Sequence, residues 1–139
     1  MTNSRRKGAS GEREFAAAVL DTVGVRLVRQ LDQCRAGGFD LAPEPDDGSA
    51  GAARLRTFAV EVKRHRAVTP ASVATWWAQA VRQADAAGLH PLLAWRADRQ
   101  PWRVAVPLHL LVPGIAPADG PPHMATLSLD GFAATARRT

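Results

Sequence analysis

One cysteine and two lysines among 139 residues are the chain's two shortages. With Cys34 alone, no intrachain disulfide framework can form, so a reducing, cytoplasmic setting is expected. A lone thiol with scattered histidines is no nucleophile pair either. His65, His90, His109 and His123 lack the H-x-x-x-H or Cys-His spacing of a zinc site. No Gly-x-x-x-x-Gly-Lys-Ser/Thr loop occurs, so no nucleotide cofactor is expected. No apolar run approaches the roughly 18 residues that span a bilayer, so no membrane partner is expected. Arg5-Arg6-Lys7 is followed by glycine and charge instead of an apolar stretch, so no secretory leader is expected. What remains is one soluble domain, long enough to bury roughly two-thirds of its unfolded surface.

Eighteen Lys+Arg against thirteen Asp+Glu give a net charge of +5. That balance permits a polyanionic partner and shows no more. Arginine supplies almost all of the positive charge, the only lysines being Lys7 and Lys63. A compact ammonium retained at Lys63 in so arginine-rich a chain points to chemistry more than to generic phosphate contact.

Residues 1–9 read as a flexible basic arm. Ser10 can cap a helix over 11–22, with Gly24 ending it. On a helical wheel Glu12, Phe15, Ala16, Val19 and Val23 share one stripe, while Glu14 lies on the far side, facing water. Strands are expected over 25–29, over 39–42 after a turn at 33–38, and over 57–63. Pro43 to Gly51 reads as an exposed, mobile loop. A helix over 71–87, opened by Thr69-Pro70 and stopped by Gly88, precedes strands at 90–95 and 102–106. A proline-rich connector over 113–122, a strand at 125–129 and a terminal helical segment complete the chain. The order α-β-β-β-α-β-β predicts a mixed α/β sheet flanked by helices, with a core over 10–112 and an extension over 113–139 packing on it.

Within this frame Glu61-Val62-Lys63 carries the most chemistry. Alternate side chains of a strand emerge on one face, so Glu61 and Lys63 lie about 6–7 Å apart along it. Asp40 stands on the preceding apolar segment Phe39-Asp40-Leu41-Ala42. Paired carboxylates suit Mg²⁺, a hard cation that takes oxygen ligands. An adjacent ammonium can orient water or offset charge in a transition state. Glu12 on a core-facing stripe needs a partner or a metal, because a lone buried acid is costly. Each has an ordinary alternative: a solvated E-x-K pair, or a first-turn acid favoured by the helix dipole.

The order Glu12, Asp40, Glu61, Lys63 resembles the PD-(D/E)XK nuclease superfamily, where a first-helix acid, a strand acid and a (D/E)-x-K strand surround the metals. Lys7-Gly8-Ala9-Ser10-Gly11-Glu12-Arg13 resembles the opening of archaeal-type Holliday junction resolvases. Residues 31–40 and the pattern Trp76-Trp77-Ala78-Gln79-Ala80 with Gln83-Ala84 are similar to phage resolvase-like endonucleases. The resemblance covers roughly residues 7–106 and implies a restriction-endonuclease-like fold. It implies an endonuclease using Mg²⁺ or Mn²⁺ on DNA, branched or four-way, giving 5′-phosphate and 3′-hydroxyl ends. The implied metal ligands are Asp40, Glu61, the Val62 carbonyl and Glu12, with Lys63 positioning water. Supporting or DNA-contacting roles fall to Gln79, Gln83, Lys7, Arg13, Arg35, Arg64 and Arg66.

A homodimer, using Trp76 or Trp77, is expected for paired cuts. The implied location is the cytoplasm of a bacterial or phage-infected cell. The superfamily's Pro-Asp dipeptide is absent at Asp40, whereas a literal Pro45-Asp46 occurs downstream beside Asp47. Asp40 is preferred because an apolar strand can fix a carboxylate in space. Two other readings stay open: a nuclease of this fold acting on non-junction DNA, and a non-catalytic DNA-binding module.

Overall fold

The computed structural model describes residues 2–30 and 39–137. Helix α1 (Thr2–Val23) leads into strands β1 (Leu27–Arg29) and β2 (Leu41–Pro43). A short helix α2 (Ala50–Leu55) precedes β3 (Phe58–His65), α3 (Pro70–Ala87), β4 (His90–Ala97) and β5 (Arg103–Pro107). A 3₁₀ turn (Leu108–Leu110), β6 (Met124–Ser128) and α4 (Leu129–Ala136) follow.

The six strands stand in chain order, β1 to β6, as one sheet. Only β3 and β4 are parallel, Phe58 to His65 aligning with His90 to Ala97. A parallel pair needs a crossover, and α3 supplies it. The other neighbours are antiparallel. The sheet is therefore mixed α/β and flanked by helices, as the element order implies.

Period-two alternation sorts the core. Val60, Val62, Leu92, Ala94, Val104 and Val106 meet Phe15 and Val19 of α1 and Phe132 and Ala136 of α4. Leu93, Trp95 and Ala105 point the other way, onto Val73, Trp77, Ala80 and Val81 of α3. Ala59 packs on Ala84 on that same α3 side. Two glycines do what the sequence asks of them: Gly24 (φ +81) and Gly88 (φ +68) take left-handed conformations behind α1 and α3.

Three expectations are revised. The helix placed over 11–22 begins at Thr2, so residues 2–9 are part of it. Ser10 lies inside α1, where tertiary packing against β3 outweighs the local capping signal. The loop expected to be mobile over 43–51 is braced, and a helix follows it that the Pro/Asp/Gly composition hides. Arg56 donates to the carbonyls of Glu44 (2.7 Å) and Asp47 (2.6 Å), and Ser49 Oγ caps α2 by accepting from Ala52 N at 3.2 Å. Third, Asp40 precedes β2 and does not lie on a regular strand. Its backbone is nonetheless tied on both sides, Asp40 N to Val60 O at 2.8 Å and Gln30 N to Asp40 O at 2.9 Å.

Candidate active site

Strand β2 touches β3 through one register pair, Leu41 with Val60, and then leaves. Beyond Val60 no strand among the described residues pairs with the edge of β3 on that side. Asp40 closes part of the gap: its carboxylate accepts the Val62 N–H at 2.9 Å, where the next strand would have supplied a carbonyl. N–H and C=O of one strand residue point to the same side, and alternate residues share it. The Val62 carbonyl is therefore directed to this edge, like the Val60 carbonyl that Asp40 N reaches.

A cleft of about 360 Å³ lies here, lined by Gly8, Glu12, Asp40, Glu61, Val62, Lys63, Arg64 and His65. A second cavity of about 330 Å³ sits near the start of β3, among Arg54, Phe58, His90, Val106, Leu111 and Phe132. Volume does not choose between them. The first gathers three carboxylates and a lysine, whereas no acid lines the second.

Within the cleft Glu61 is 4% exposed and Glu12 is 9% exposed. Lys63 Nζ lies 3.3 Å from Glu61 Oε1, the two side chains sharing one face of β3 as their spacing requires. Glu61 Oε2 is buried and accepts no hydrogen bond among the described residues. Burial, then the charge of Asp40, push the Glu61 carboxyl up to about 7 from 4.5, with Lys63 opposing and Glu12 adding to the rise. Among the described residues the cleft is short of positive charge.

Glu12 has a partner that the sequence reading did not name. Arg29 Nε, at the end of β1, lies 2.6 Å from Glu12 Oε2 with its side chain still 46% exposed. The signal was available: a buried acid requires a cation, and Arg29 closes the strand that follows α1.

Glu14, expected to face water, is instead held by Arg64 Nε at 3.0 Å and Arg96 Nη1 at 3.1 Å. Arg64 also approaches Asp98 at 3.7 Å. Arg64, a candidate phosphate contact, is thereby engaged within the fold. A Cβ at Gly11 would lie 2.9 Å from Arg64 Cβ, so α1 rests directly on β3 at this point.

Arg13 and Arg66 are exposed, and Gln79 and Gln83 are partly buried on α3. Gln83 Oε1 is buried with no hydrogen-bond donor among the described residues. The Lys7 side chain and Arg35 lie outside what the structure describes. Asp46 and Asp47 do not line the cleft. Asp47 instead accepts from Ser49 N at 2.9 Å, and that bond, with Ser49's hydroxyl, holds its carboxyl below the usual range. Trp77 is 7% exposed in the core and donates to Pro122 O at 3.1 Å, so it has no face for a dimer.

Asp40, Glu61 and the Val62 carbonyl form a set of hard oxygen donors, with the orphaned Glu61 Oε2 among them. No three His, Cys, Asp or Glu side chains among the described residues close into a metal cage. That fits Mg²⁺, which is held by one or two carboxylates, waters and substrate phosphate instead of a full protein cage.

The family described as "Phage putative PDDEXK endonuclease" matches residues 3–128. The chain belongs to this phage PDDEXK endonuclease family. The match runs past the segment on which the sequence resemblance rested and takes in β6. In this PDDEXK endonuclease the mixed sheet between helices is the restriction-endonuclease-like core, with Glu61-Val62-Lys63 on its central parallel strand. Among solved structures, that of Hjc from Archaeoglobus fulgidus, described as a Holliday junction resolvase from an archaeal hyperthermophile, is similar. It is 18% identical, covers 70% of each chain and gives a TM-score of 0.44. No curated protein matches. No helix of the described residues is long and apolar enough to cross a membrane.

Proposed function

We propose that this PDDEXK endonuclease is a Mg²⁺- or Mn²⁺-dependent enzyme that cuts branched DNA, with four-way junctions as the leading substrate. The observation that carries the metal-dependent chemistry is the edge of β3, where Asp40 is locked to Val62 N–H beside a buried Glu61 oxygen that finds no donor among the described residues. Junction preference is supported by the Lys7-to-Arg13 opening and its likeness to archaeal-type resolvases. Asp40, Glu61 and the Val62 carbonyl would hold the cation, with Glu12 contributing to a second cation or its water. When bound, the cation offsets phosphate charge and makes hydroxide accessible near neutral pH.

The protein's own groups do the rest. Asp40 and Glu61 hold their oxygens at the strand edge. Lys63 orients the attacking water and offsets charge gathering on phosphorus. Arg29 holds the Glu12 carboxylate in place through its ion pair. In-line attack on phosphorus expels the 3′ oxygen, leaving 5′-phosphate and 3′-hydroxyl ends. Two cuts across a junction call for two sites, which a two-fold homodimer in the bacterial or phage-infected cytoplasm would present.

The test is a four-way junction and a matched linear duplex, each with Mg²⁺ or EDTA, alongside Asp40→Asn. Paired nicks at the junction alone, lost in EDTA and in the variant, are the expected result. Equal cutting of both substrates would retain the nuclease and overturn junction preference. Binding without cleavage under either metal would make the chain a DNA-binding module of this fold.

A further inference from the structure

Glu61, Lys63 and His65 share one face of β3, each roughly 6–7 Å from the next. The first two account for the acid and the cation of the cleft. His65 lines the same cleft, and its side chain is exposed. Its imidazole is stacked on Trp76, ring centroids 4.8 Å apart and planes 30° from parallel. The adjacent tryptophans of α3 are thus divided: Trp77 is turned into the core, and Trp76, half-buried, stacks on the histidine that lines the cleft. Lys63 stands on one side of this stack and the exposed Arg66 follows it along the chain.

Rings in this position have a specific use. A nucleobase presents a π face whatever its identity, so an aromatic stack beside cations receives bases with little sequence preference. A base inside an intact duplex is already stacked on both faces and must be unpaired or extruded before it can stack elsewhere. The stack lies about one residue pair beyond Lys63 on the same face of β3.

We propose that the His65–Trp76 stack is a nucleobase platform that receives an unpaired base adjoining the scissile phosphate. This deepens the nuclease reading and rests on it for the position of the phosphate. The platform makes the substrate class DNA with unpaired nucleotides at the cut, such as an opened branch point, a flap or a bulge. It supplies a selectivity that the carboxylates cannot, since a metal and two acids meet the same phosphate in any DNA.

The experiment compares affinity in the Asp40→Asn background with Mg²⁺, by fluorescence anisotropy. The probes are an oligonucleotide duplex with a short unpaired stretch, the same duplex with abasic sites in that stretch, and the fully paired duplex. With His65 present, removing the bases is expected to weaken binding about 5- to 100-fold. His65→Ala should lose that dependence on the bases, binding both unpaired probes alike, and His65→Phe should restore it, because stacking does not require imidazole nitrogens. Trp76→Phe keeps a ring and should retain most of the effect, which guards against a folding defect.

Equal affinity for base-bearing and abasic DNA with His65 present would overturn the platform. So would an equal loss on both probes in His65→Ala, which would mark His65 as a phosphate contact. Cleavage of the same probes by the chain with Asp40 intact reads the nuclease separately. Cutting without base dependence in binding overturns the platform alone. Base-dependent binding without cutting leaves the platform standing and overturns the catalytic reading.

Discussion

Two acid clusters lie on either side of β3, and the fold resolves them in opposite ways. Glu14 sits between Arg64 and Arg96, with Asp98 taking up the remaining charge of Arg64. Glu61 is more deeply buried, faces Asp40 and Glu12, and among the described residues has one lysine to balance it. The first cluster is neutralised by protein, and its work is to hold α1 against the ends of β3 and β4. The second is left with a buried oxygen that finds no donor among the described residues. A satisfied cluster needs no ligand; an unsatisfied one costs stability and persists where something external completes it.

The sharpest way to break this contrast is to neutralise one acid from each cluster. Asp40→Asn or Glu61→Gln should lower the cleavage rate more than a hundredfold, since each removes a ligand to a cation worth several kcal/mol in the transition state. Glu14→Gln should leave cleavage within a few-fold. Equal losses from the two clusters, in a single-turnover assay, would erase the distinction. Lys63→Ala should also remove at least a hundredfold in rate while DNA affinity, read by anisotropy, changes little.

A smaller effect comes from pH in the metal-free protein. The Glu61 carboxyl ordinarily titrates near 4.5 and is pushed up to about 7 in the folded chain. The folded state therefore holds a proton that the unfolded state releases between those values. That contribution to stability is fully present below about pH 4.5 and is lost as pH rises through 7. Denaturant titrations in EDTA should show stability falling by roughly 2–3 kcal/mol between pH 5 and 8. Glu61→Gln should flatten that slope, and Mg²⁺ should restore stability at pH 8. A slope unchanged in Glu61→Gln would refute the assignment.

The smallest effects belong to the satisfied cluster. Arg96→Ala or Glu14→Gln should cost about 1 kcal/mol, because partly exposed ion pairs contribute modestly. Gly11→Ala should cost about 1–2 kcal/mol, since the added Cβ meets Arg64 Cβ, which cannot swing aside as a side-chain tip could. Calorimetric melting of the variants checks both.

Much of the site was legible because strand periodicity is a local property. Glu61 and Lys63 two residues apart on an apolar run must share a face, and they do. Glu12 on the stripe of Phe15 and Val19 must turn inward, and it is buried. Helix α2 was hidden because its stabilisation comes from Arg56 bracing the turn before it and Arg54 reaching Thr135 O at 2.9 Å, not from propensity. Trp76 and Trp77 could not be told apart as neighbours until α3 was oriented on the sheet.

By itself, then, the sequence determined the alternation of elements, the glycine stops after α1 and α3, and which side chains share a strand or helix face. These follow from backbone periodicity and local sterics. Only the tertiary structure decided that β2 leaves β3 after Val60, that Asp40 takes the Val62 N–H, that Arg29 finds Glu12, and that His65 meets Trp76. Each of these joins residues distant in sequence, and depends on how strands register and helices pack, which no local pattern encodes.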